Sequence, residues 1–416
     1  MRDVVVVGAG LAGLTCVRAL QARGADCLLL DASDAVGGRV RTDDVDGYRL
    51  DRGFQVLLTA YPAAQAWLDY GSLRLGRFAA GARVSTAAGD ARVSDPWREP
   101  SRAWQTLRAP IGTLADKLRV GALRLAATQG GADSPWARPE RSTADELAAR
   151  GFSPVMLERF LRPWLGGIFL ERELETSNRM LFFVYRMFSE GYAALPAGGM
   201  QRIPEQLAAG LRAGSCRLGA AVARVHPDGG KGGGSVELSD GEVLQARHIV
   251  LATDGTTASR LVAGVEAPKW RSVTCVQWAA PESPLGGEPV LWLNGSGRGL
   301  VNNLVVPSDV AAGYAPPGMA LVSTTLIGAR PEADETLIDA LRVELRERHG
   351  PAALNWRPLA VQRIRQALPV LSPDSGAKSG KPLRAGVWVC GDHRASASIQ
   401  GAMAAGQAVA EAIATT

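Results

Sequence analysis

The stretch VVVVGAGLAGLTCVRAL, residues 4–20, decides the fold of this chain. Four valines in a row are typical of a parallel strand that is buried on both faces. Gly8, Gly10 and Gly13 follow at once, at the spacing in which the first glycine permits a tight turn, the second lets the backbone approach a pyrophosphate and the third lets helix and strand pack closely. Leu11 and Ala12 begin the helix, where free N–H groups favour phosphate.

A second segment, LLLDASDAVGGRVRT at residues 28–42, supplies the next strand and an acid. Asp31 ends this strand, about 20 residues after the glycine turn, where a carboxylate accepts hydrogen bonds from ribose hydroxyls. Glycines also mark ordinary turns, but the strand–turn–helix–strand context with the acid in place favours a dinucleotide site. These residues alone do not choose between NAD and FAD.

Three further motifs make that choice through a resemblance to a known family. They are Gly37-Gly38-Arg39 after Asp31-Ala32, the turn LPAGGM at residues 195–200, and the closing segment VWVCGDHRASASIQGAMAAG at residues 387–406. In this order they resemble the motifs of the flavin-containing amine oxidase superfamily, which includes phytoene desaturases and protoporphyrinogen oxidase. The resemblance covers nearly the whole chain and implies FAD as the cofactor.

The resemblance also implies which residues contact FAD. In the family, Asp392 matches an acid at the ribityl chain or pyrophosphate, Val222 matches a position whose backbone meets adenine, and the helix after the closing motif points its N-terminus at the flavin. The implied contacts are Ala32, Gly38, Arg39, Gly53, Phe54, Val222, Gly391, Asp392, Ile399, Gly401 and Ala402. Since no cysteine lies where some relatives link the flavin covalently, non-covalent FAD is expected.

The expected fold class is α/β, with a Rossmann-like FAD-binding domain and a discontinuous α+β substrate-binding domain. A chain of 416 residues exceeds what one core usually serves, so two domains are the default. The FAD-binding domain is assigned to residues 1–56, 196–270 and 385–416, and the substrate-binding domain to residues 57–195 and 271–384. Residues 57–195 are expected to be mostly helical, and antiparallel strands are expected at residues 272–279, 290–293, 300–306 and 320–326.

Composition excludes several other classes of protein. A diffuse net charge of +5, with no block of like charges, gives no support for nucleic-acid binding. The five cysteines form no CxxC pair and the four histidines show no ligand spacing, so no metal site is expected. Buried free cysteines and the absence of a signal-peptide pattern favour a cytoplasmic location. The sequence does not determine the oligomeric state.

Three residues are candidates to face the substrate, although no catalytic residue is assigned. Gln55 follows the Asp51-Arg52-Gly53 turn, which resembles the family's stretch along the flavin. Amine oxidases of the family carry a lysine near the flavin, and Thr274 is expected at its place. They also carry two aromatic side chains there, whereas the approach to the closing motif here holds Arg363, Arg365 and Gln366. Arg365 is interpreted either as a partner for a substrate carboxylate or as an exposed strand-edge arginine.

The resemblance then implies an FAD-dependent oxidoreductase that takes a hydride from a C–C or C–N bond of a hydrophobic or cyclic small molecule. Oxygen or a quinone would accept the electrons. One alternative keeps the flavin and is redox-neutral, as in isomerase and mutase relatives. A remote alternative is a non-enzymatic lipid- or prenyl-binding protein of the same fold, as in the Rab GDP-dissociation inhibitors, which lack the intact flavin-end motif present here.

Residues 95–128 leave two interpretations open. Six basic residues alternate there with tryptophan, leucine and isoleucine side chains. In some proteins such a basic amphipathic segment lies on the surface of anionic membranes. On this interpretation the protein would bind a membrane peripherally. The other interpretation is an ordinary amphipathic helix that packs on its own domain.

Overall fold

A computed structural model describes residues 1–87, 89–131, 133–228, 232–371 and 380–416. The strands in chain order are β1 Arg2–Val7, β2 Cys27–Leu30, β3 Thr42–Val45, β4 Tyr48–Asp51, β5 Leu57–Leu58, β6 Gly76–Arg77, β7 Gly81–Thr86, β8 Gly89–Ser94, β9 Ala193–Leu195, β10 Cys216–Arg217, β11 Val222–Pro227, β12 Gly234–Leu238, β13 Val243–Leu251, β14 Trp270–Ala280, β15 Leu291–Leu293, β16 Asn303–Val305, β17 Ala320–Ile327, β18 Arg357–Pro369 and β19 Val387–Val389. The helices are α1 Leu11–Gln21, α2 Pro62–Trp67, α3 Tyr70–Leu73, α4 Ala103–Arg108, α5 Leu114–Thr128, α6 Thr143–Ala149, α7 Pro154–Met156, α8 Arg162–Phe169, α9 Asn178–Glu190, α10 Arg202–Ala209, α11 Gly255–Leu261, α12 Pro307–Val310, α13 Asp334–His349 and α14 Ile399–Ala414.

The first sheet contains the opening strand of the sequence at its centre. Its order is β10-β2-β1-β13-β12-β11, and β19 pairs with β13. Strand β1 is parallel to both of its neighbours, and its four valines are buried, as predicted for a strand covered on both faces. Because β19 runs parallel to β13, the closing motif leaves the sheet at the same edge as the first glycine turn.

Helices α1 and α14 pack closely against each other beside this sheet. A Cβ atom on Gly406 of α14 would lie 2.1 Å from the Ala12 carbonyl oxygen, so only glycine permits this approach. The first and last helices of the chain therefore meet at the strand ends where a dinucleotide is expected.

The second sheet has the order β18-β14-β17-β16-β15-β7-β8. The strands predicted within residues 272–326 are present as β14, β15, β16 and β17, and the β14–β17 and β16–β17 pairs are antiparallel. The hairpin of β7 and β8 is a departure from the helical expectation for residues 57–195. It joins this sheet because β7 pairs in parallel with β15, a non-local contact that local periodicity does not reveal.

The helical part of residues 57–195 is built as its sequence suggests. Ser153 caps α7 by accepting a hydrogen bond from the Met156 N–H group, and Pro154 takes the first helical position. A π-helical turn, Leu157–Leu161, continues into α8. Phe160 and Trp164 are four residues apart, stack on each other and line a common cavity.

Candidate functional site

A cavity of about 1460 Å³ joins the ends of both sheets to the helices of residues 103–190. One end is formed by the residues that the sequence motifs nominate. Those that line the cavity are Gly8, Gly10, Leu11, Ala12, Asp31, Ala32, Gly38, Arg39, Gly53, Phe54, Gln55, Val222, Gly391, Asp392, Ile399 and Ala402. We call this the nucleotide end. We call the part of the cavity that is lined by residues between 95 and 193 the arm.

Gly13 and Gly401 support the nucleotide end from behind it. A Cβ atom on Gly13 would lie 1.9 Å from the Gly8 carbonyl oxygen, and one on Gly401 would lie 1.9 Å from the Ser396 carbonyl oxygen. Neither residue lines the cavity. These glycines therefore let the backbone pack tightly and hold the cavity wall in place.

The first glycine turn fits a pyrophosphate. Gly8 has a φ of +108°, which side chains rarely tolerate, and Gly10 immediately precedes α1. A Cβ atom on Gly10 would meet nothing within 4 Å, because this position faces the open cavity. Within the described residues no side chain caps α1, so its first N–H groups are left for an anion.

Asp31 is held at the end of β2 in the position expected for a ribose contact. Its two carboxylate oxygens accept hydrogen bonds from the Ala9 N–H group at 2.6 Å and the Ser33 N–H group at 2.7 Å. Each oxygen keeps a lone pair for a hydroxyl donor. The turn that contains Gly37 contacts the same glycine turn, since the Gly37 N–H group donates to the Ala9 carbonyl at 2.8 Å.

Arg39 joins the first part of the chain to the last. Its guanidinium donates to the Asp392 carboxylate at 2.6 Å and to the Ala367 carbonyl at 2.9 Å, and it lies over the Trp270 ring. Burial lowers the pKa of Arg39, but the Asp392 carboxylate opposes this effect and the net shift is upward. Arg39 therefore stays protonated, and its ion pair with Asp392 fixes the guanidinium at the cavity wall.

The closing helix presents its N-terminus to the same cavity. Ser398 caps α14 by accepting a hydrogen bond from the Gly401 N–H group at 3.0 Å, while Ile399 and Ala402 face the cavity. The positive end of the helix dipole therefore points where negative charge on a bound group would be stabilised.

The turn after β4 forms the border between the nucleotide end and the arm. Gly53 has a φ of +81°, and its N–H group donates to the Gln362 side chain at 2.9 Å. Gln55 lines the cavity, but its amide nitrogen already donates to the Arg39 carbonyl at 2.8 Å and the Arg52 carbonyl at 3.0 Å. This leaves its carbonyl oxygen for any contact with a ligand.

Two substrate-facing candidates do not reach the cavity. Thr274 is fully buried and accepts a hydrogen bond from the Arg330 N–H group, while its hydroxyl donates to the Gly328 carbonyl. Its neighbour Val273 lines the cavity instead, because successive side chains of a strand point to opposite faces. Arg365 is exposed and lies outside the cavity lining, which corrects the expectation that it faces the substrate.

The arm is aromatic and apolar, which the sequence motifs do not indicate. Trp164 stacks on Phe160 with ring centroids 5.8 Å apart and contacts Tyr185 and Phe188 by edge and tilted packing. All four line the cavity. The apolar face of residues 156–164 is the one sequence signal for them, and it equally predicts an ordinary core helix.

Charged groups along the arm are held by ion pairs or by hydrogen bonds to backbone carbonyls. The carboxylate of Asp95 pairs with Arg124 at 2.6 Å, and Arg98 donates to the Ser189 and Gly191 carbonyls. Lys117 donates to the carbonyls of Leu107 and Ala109. Among the described lining residues, the other carboxylates, Asp31, Asp254 and Asp392, lie at the nucleotide end. A cationic group entering the arm would therefore lose its hydration without a free carboxylate partner.

Asn303 and Thr325 bring polar groups from the middle of the second sheet. They face each other across β16 and β17 and both line the cavity. Asn302 donates to Asn303 Oδ1 at 3.0 Å, which fixes the orientation of the Asn303 amide and leaves its Nδ2 group to donate into the cavity. This site was not found from the sequence, since no motif marks it.

The fold and the cavity are those of an FAD-binding protein of the α/β class. The family model described as flavin containing amine oxidoreductase matches residues 11–414, and the chain belongs to that family. The predictions of the α/β fold class, of an oxidoreductase and of FAD as the cofactor are confirmed at the level of the family.

Individual relatives differ in the reactions that their names describe. The chain is 29% identical to hydroxyneurosporene desaturase of Cereibacter sphaeroides over 60% of this chain and 56% of the desaturase. It is 26% identical to coproporphyrinogen III oxidase of Propionibacterium freudenreichii over 77% of this chain and 71% of the oxidase. A solved oxidoreductase from Methanosarcina mazei superposes with a TM-score of 0.77 at 18% identity, covering 98% and 100% of the two chains, which shows the shared fold.

Two absences are observed within the residues that the structure describes. No helix there has the length and apolar character needed to cross a membrane. No group of three or more His, Cys, Asp or Glu side chains in those residues could hold a metal ion.

Proposed function

We propose that this protein is an FAD-dependent oxidase or desaturase that acts on a large hydrophobic or cyclic small molecule. The observation that carries the proposal is the continuity of one cavity from the glycine motifs to an aromatic arm whose described lining residues include no unpaired carboxylate. FAD, when bound, would accept a hydride from a C–H bond of a C–C or C–N unit of the substrate while the adjacent carbon or nitrogen loses a proton, and oxygen or a quinone would finally take the two electrons.

The chain's own residues divide the remaining tasks. Gly10 and the start of α1 hold the pyrophosphate, Asp31 the ribose, and Arg39 with Asp392 the middle of the cofactor. The arm excludes water and orients the apolar part of the substrate, and Asn303 Nδ2 donates a hydrogen bond to a substrate oxygen. Non-covalent binding is supported because no cysteine or histidine among the described residues lines the cavity.

Simple amines are expected to be poor substrates. A protonated amine in the arm would need a free carboxylate, and Asp95 is already paired with Arg124. Thr274 and Arg365 do not contribute to this expectation, because neither residue lines the cavity.

Peripheral contact with a membrane surface is part of the proposal, because an apolar substrate of this size partitions into lipid. The cytoplasmic location stays a prediction.

The experiment begins with the visible spectrum of the purified protein, followed by release of the flavin with acid. Anaerobic mixing with monoamines, polyamines, prenyl-type polyenes and carboxylated heterocycles then reports which class bleaches the flavin. Bleaching by an uncharged polyene or cyclic compound supports the proposal. Rapid bleaching by a simple monoamine contradicts it, and product formed without consumption of an electron acceptor identifies the redox-neutral alternative. A colourless protein that cannot be reconstituted with FAD identifies the non-enzymatic one.

A further inference from the structure

Helix α5 carries two apolar stripes on opposite sides. Successive residues of a helix turn by about 100°, so Leu114, Leu118 and Leu125 lie within about 40° of one another, while Leu123 lies roughly 180° from Leu114. Leu123 is fully buried, whereas Leu114, Leu118 and Leu125 are 62%, 69% and 61% exposed, respectively. The exposed stripe therefore has no partner within the described residues. The opposite side of α5, which includes Leu123, packs into the hydrophobic core.

Neighbouring side chains extend the exposed stripe into a surface. Trp97 lies over Gly121, where a Cβ atom would be 3.2 Å from its ring, so the indole fills the gap between Leu118 and Leu125. Lys117 ties the end of α4 to α5 by donating to the Leu107 carbonyl. The surface, which we call the α4–α5 face, consists of Trp97, Trp104, Leu107, Leu114, Leu118 and Leu125, all exposed.

The charge around this face is positive. Residues 95–131 contain six basic side chains, Arg98, Arg102, Arg108, Lys117, Arg119 and Arg124, against three acids, Asp95, Glu99 and Asp116. Asp95 pairs with Arg98 and Arg124, Arg102 pairs with Glu99 and Glu288, and Arg119 lies 3.5 Å from Asp116. The excess of basic over acidic side chains leaves the segment with a net positive charge. A second copy of the chain would bring like charges together at this face, which disfavours self-association. An anionic lipid surface is complementary to it in both charge and apolar character.

The face borders an opening of the cavity, because part of it is both exposed and cavity-lining. Trp97, Leu107, Leu118 and Leu125 belong both to the face and to the cavity lining. We propose that the α4–α5 face docks on the surface of an anionic lipid bilayer, so that the mouth of the arm opens onto the lipid. Docking itself depends only on the face, and the passage of an apolar substrate from lipid into the arm rests on the proposed function.

The test measures binding of the FAD-loaded protein to vesicles by sedimentation. Vesicles of phosphatidylcholine alone are compared with vesicles in which phosphatidylglycerol replaces part of it. We expect binding to the anionic vesicles, weakened as ionic strength rises above about 0.1 M, where charges more than about 10 Å apart are screened. Leu118→Asp is expected to weaken binding at least ten-fold. Val343→Asp, at a 60% exposed position on α13, serves as the matched control and is expected to bind like the wild type.

Both substitutions replace exposed side chains, and equal melting temperatures establish that both variants are folded. A wild type that stays in the supernatant with both vesicle compositions overturns the proposal. So does a Leu118→Asp variant that binds vesicles as the wild type does, or one whose only effect is to dissociate a larger species on gel filtration. Flavin bleaching by a detergent-solubilised polyene is measured in parallel. Bleaching without vesicle binding refutes the docking alone, and vesicle binding without bleaching refutes the proposed function alone.

Discussion

Arg39 and Asp392 are 353 residues apart in the chain, and their side chains meet at 2.6 Å. Asp392 is almost completely buried, while part of the Arg39 side chain is open to the cavity. The contact fixes the second glycine motif against the closing motif, and both motifs line the nucleotide end. The geometry of the cofactor site thus depends on a link between the two ends of the chain.

Replacing Arg39 by methionine is expected to weaken FAD binding about ten-fold or more, since the buried carboxylate loses a charge-assisted hydrogen bond worth about 1.5–3 kcal/mol. The dissociation constant is measured by fluorescence titration of the FAD-free protein. Arg2→Met, which removes an exposed ion pair with Asp26, is the control and is expected to leave affinity unchanged. Equal affinities in the two variants would show that the Arg39–Asp392 pair does not shape the site.

Gly10→Val and Gly13→Val are expected to fail in different ways. A side chain at Gly10 enters the open cavity, so the fold persists and FAD binding is lost. At Gly13 it collides with the Gly8 carbonyl 1.9 Å away, so the protein itself is destabilised. Circular dichroism and flavin absorbance distinguish the two results. Full FAD occupancy in a folded Gly10→Val variant would mean that the pyrophosphate lies elsewhere.

Asn303→Leu is expected to distinguish substrates by their oxygen atoms. Removing the Nδ2 donor should lower kcat/KM about ten-fold for a substrate with a hydroxyl or carbonyl group, in line with a hydrogen bond worth about 0.5–1.5 kcal/mol, and leave a hydrocarbon analogue unaffected. Flavin content serves as the control and should not change, because Asn303 belongs to the second sheet. Equal losses for both analogues would assign Asn303 a structural role only.

Asp51 is expected to make stability depend on pH. Burial raises its pKa to about 6, against the opposing hydrogen bonds from Thr42, Tyr314 and the Met200 N–H group. Because the folded protein holds this proton more tightly than the unfolded chain, its contribution to stability is full below about pH 4 and is lost as the pH rises through 6.

The measurement is the free energy of unfolding of the wild type relative to Asp51→Asn across this range. The difference should fall by about 3 kcal/mol, since one pKa unit corresponds to about 1.4 kcal/mol. Asp44→Asn, an exposed carboxylate on the adjacent strand, is the control. A difference that does not vary with pH would place the pKa of Asp51 near its ordinary value.

The nucleotide end could be predicted in detail because the sequence encodes it locally. Gly8, Gly10 and Gly13 act through backbone shape, and that shape follows from their spacing between a strand and a helix. Asp31 and Asp392 likewise follow directly from strand ends. For Gly8, Gly10, Gly13 and Asp31 the order of residues along the chain fixes the local backbone, whereas the contact of Asp392 with Arg39 joins residues 353 positions apart.

The substrate end was decided by tertiary structure. On β14, Val273 lines the cavity and its neighbour Thr274 points away from it. A shift of one residue in strand register would exchange the two, and the register of β14 against β18 does change between Arg271 and Val273. Periodicity shows that α5 has apolar positions, but only packing shows that Leu123 is covered and Leu118 is not. The sequence by itself determined the cofactor and the family, because backbone turns are formed by residues close together in the chain. Which side chains meet the substrate depended on strand register and helix packing, because these are set by contacts between residues far apart in the chain.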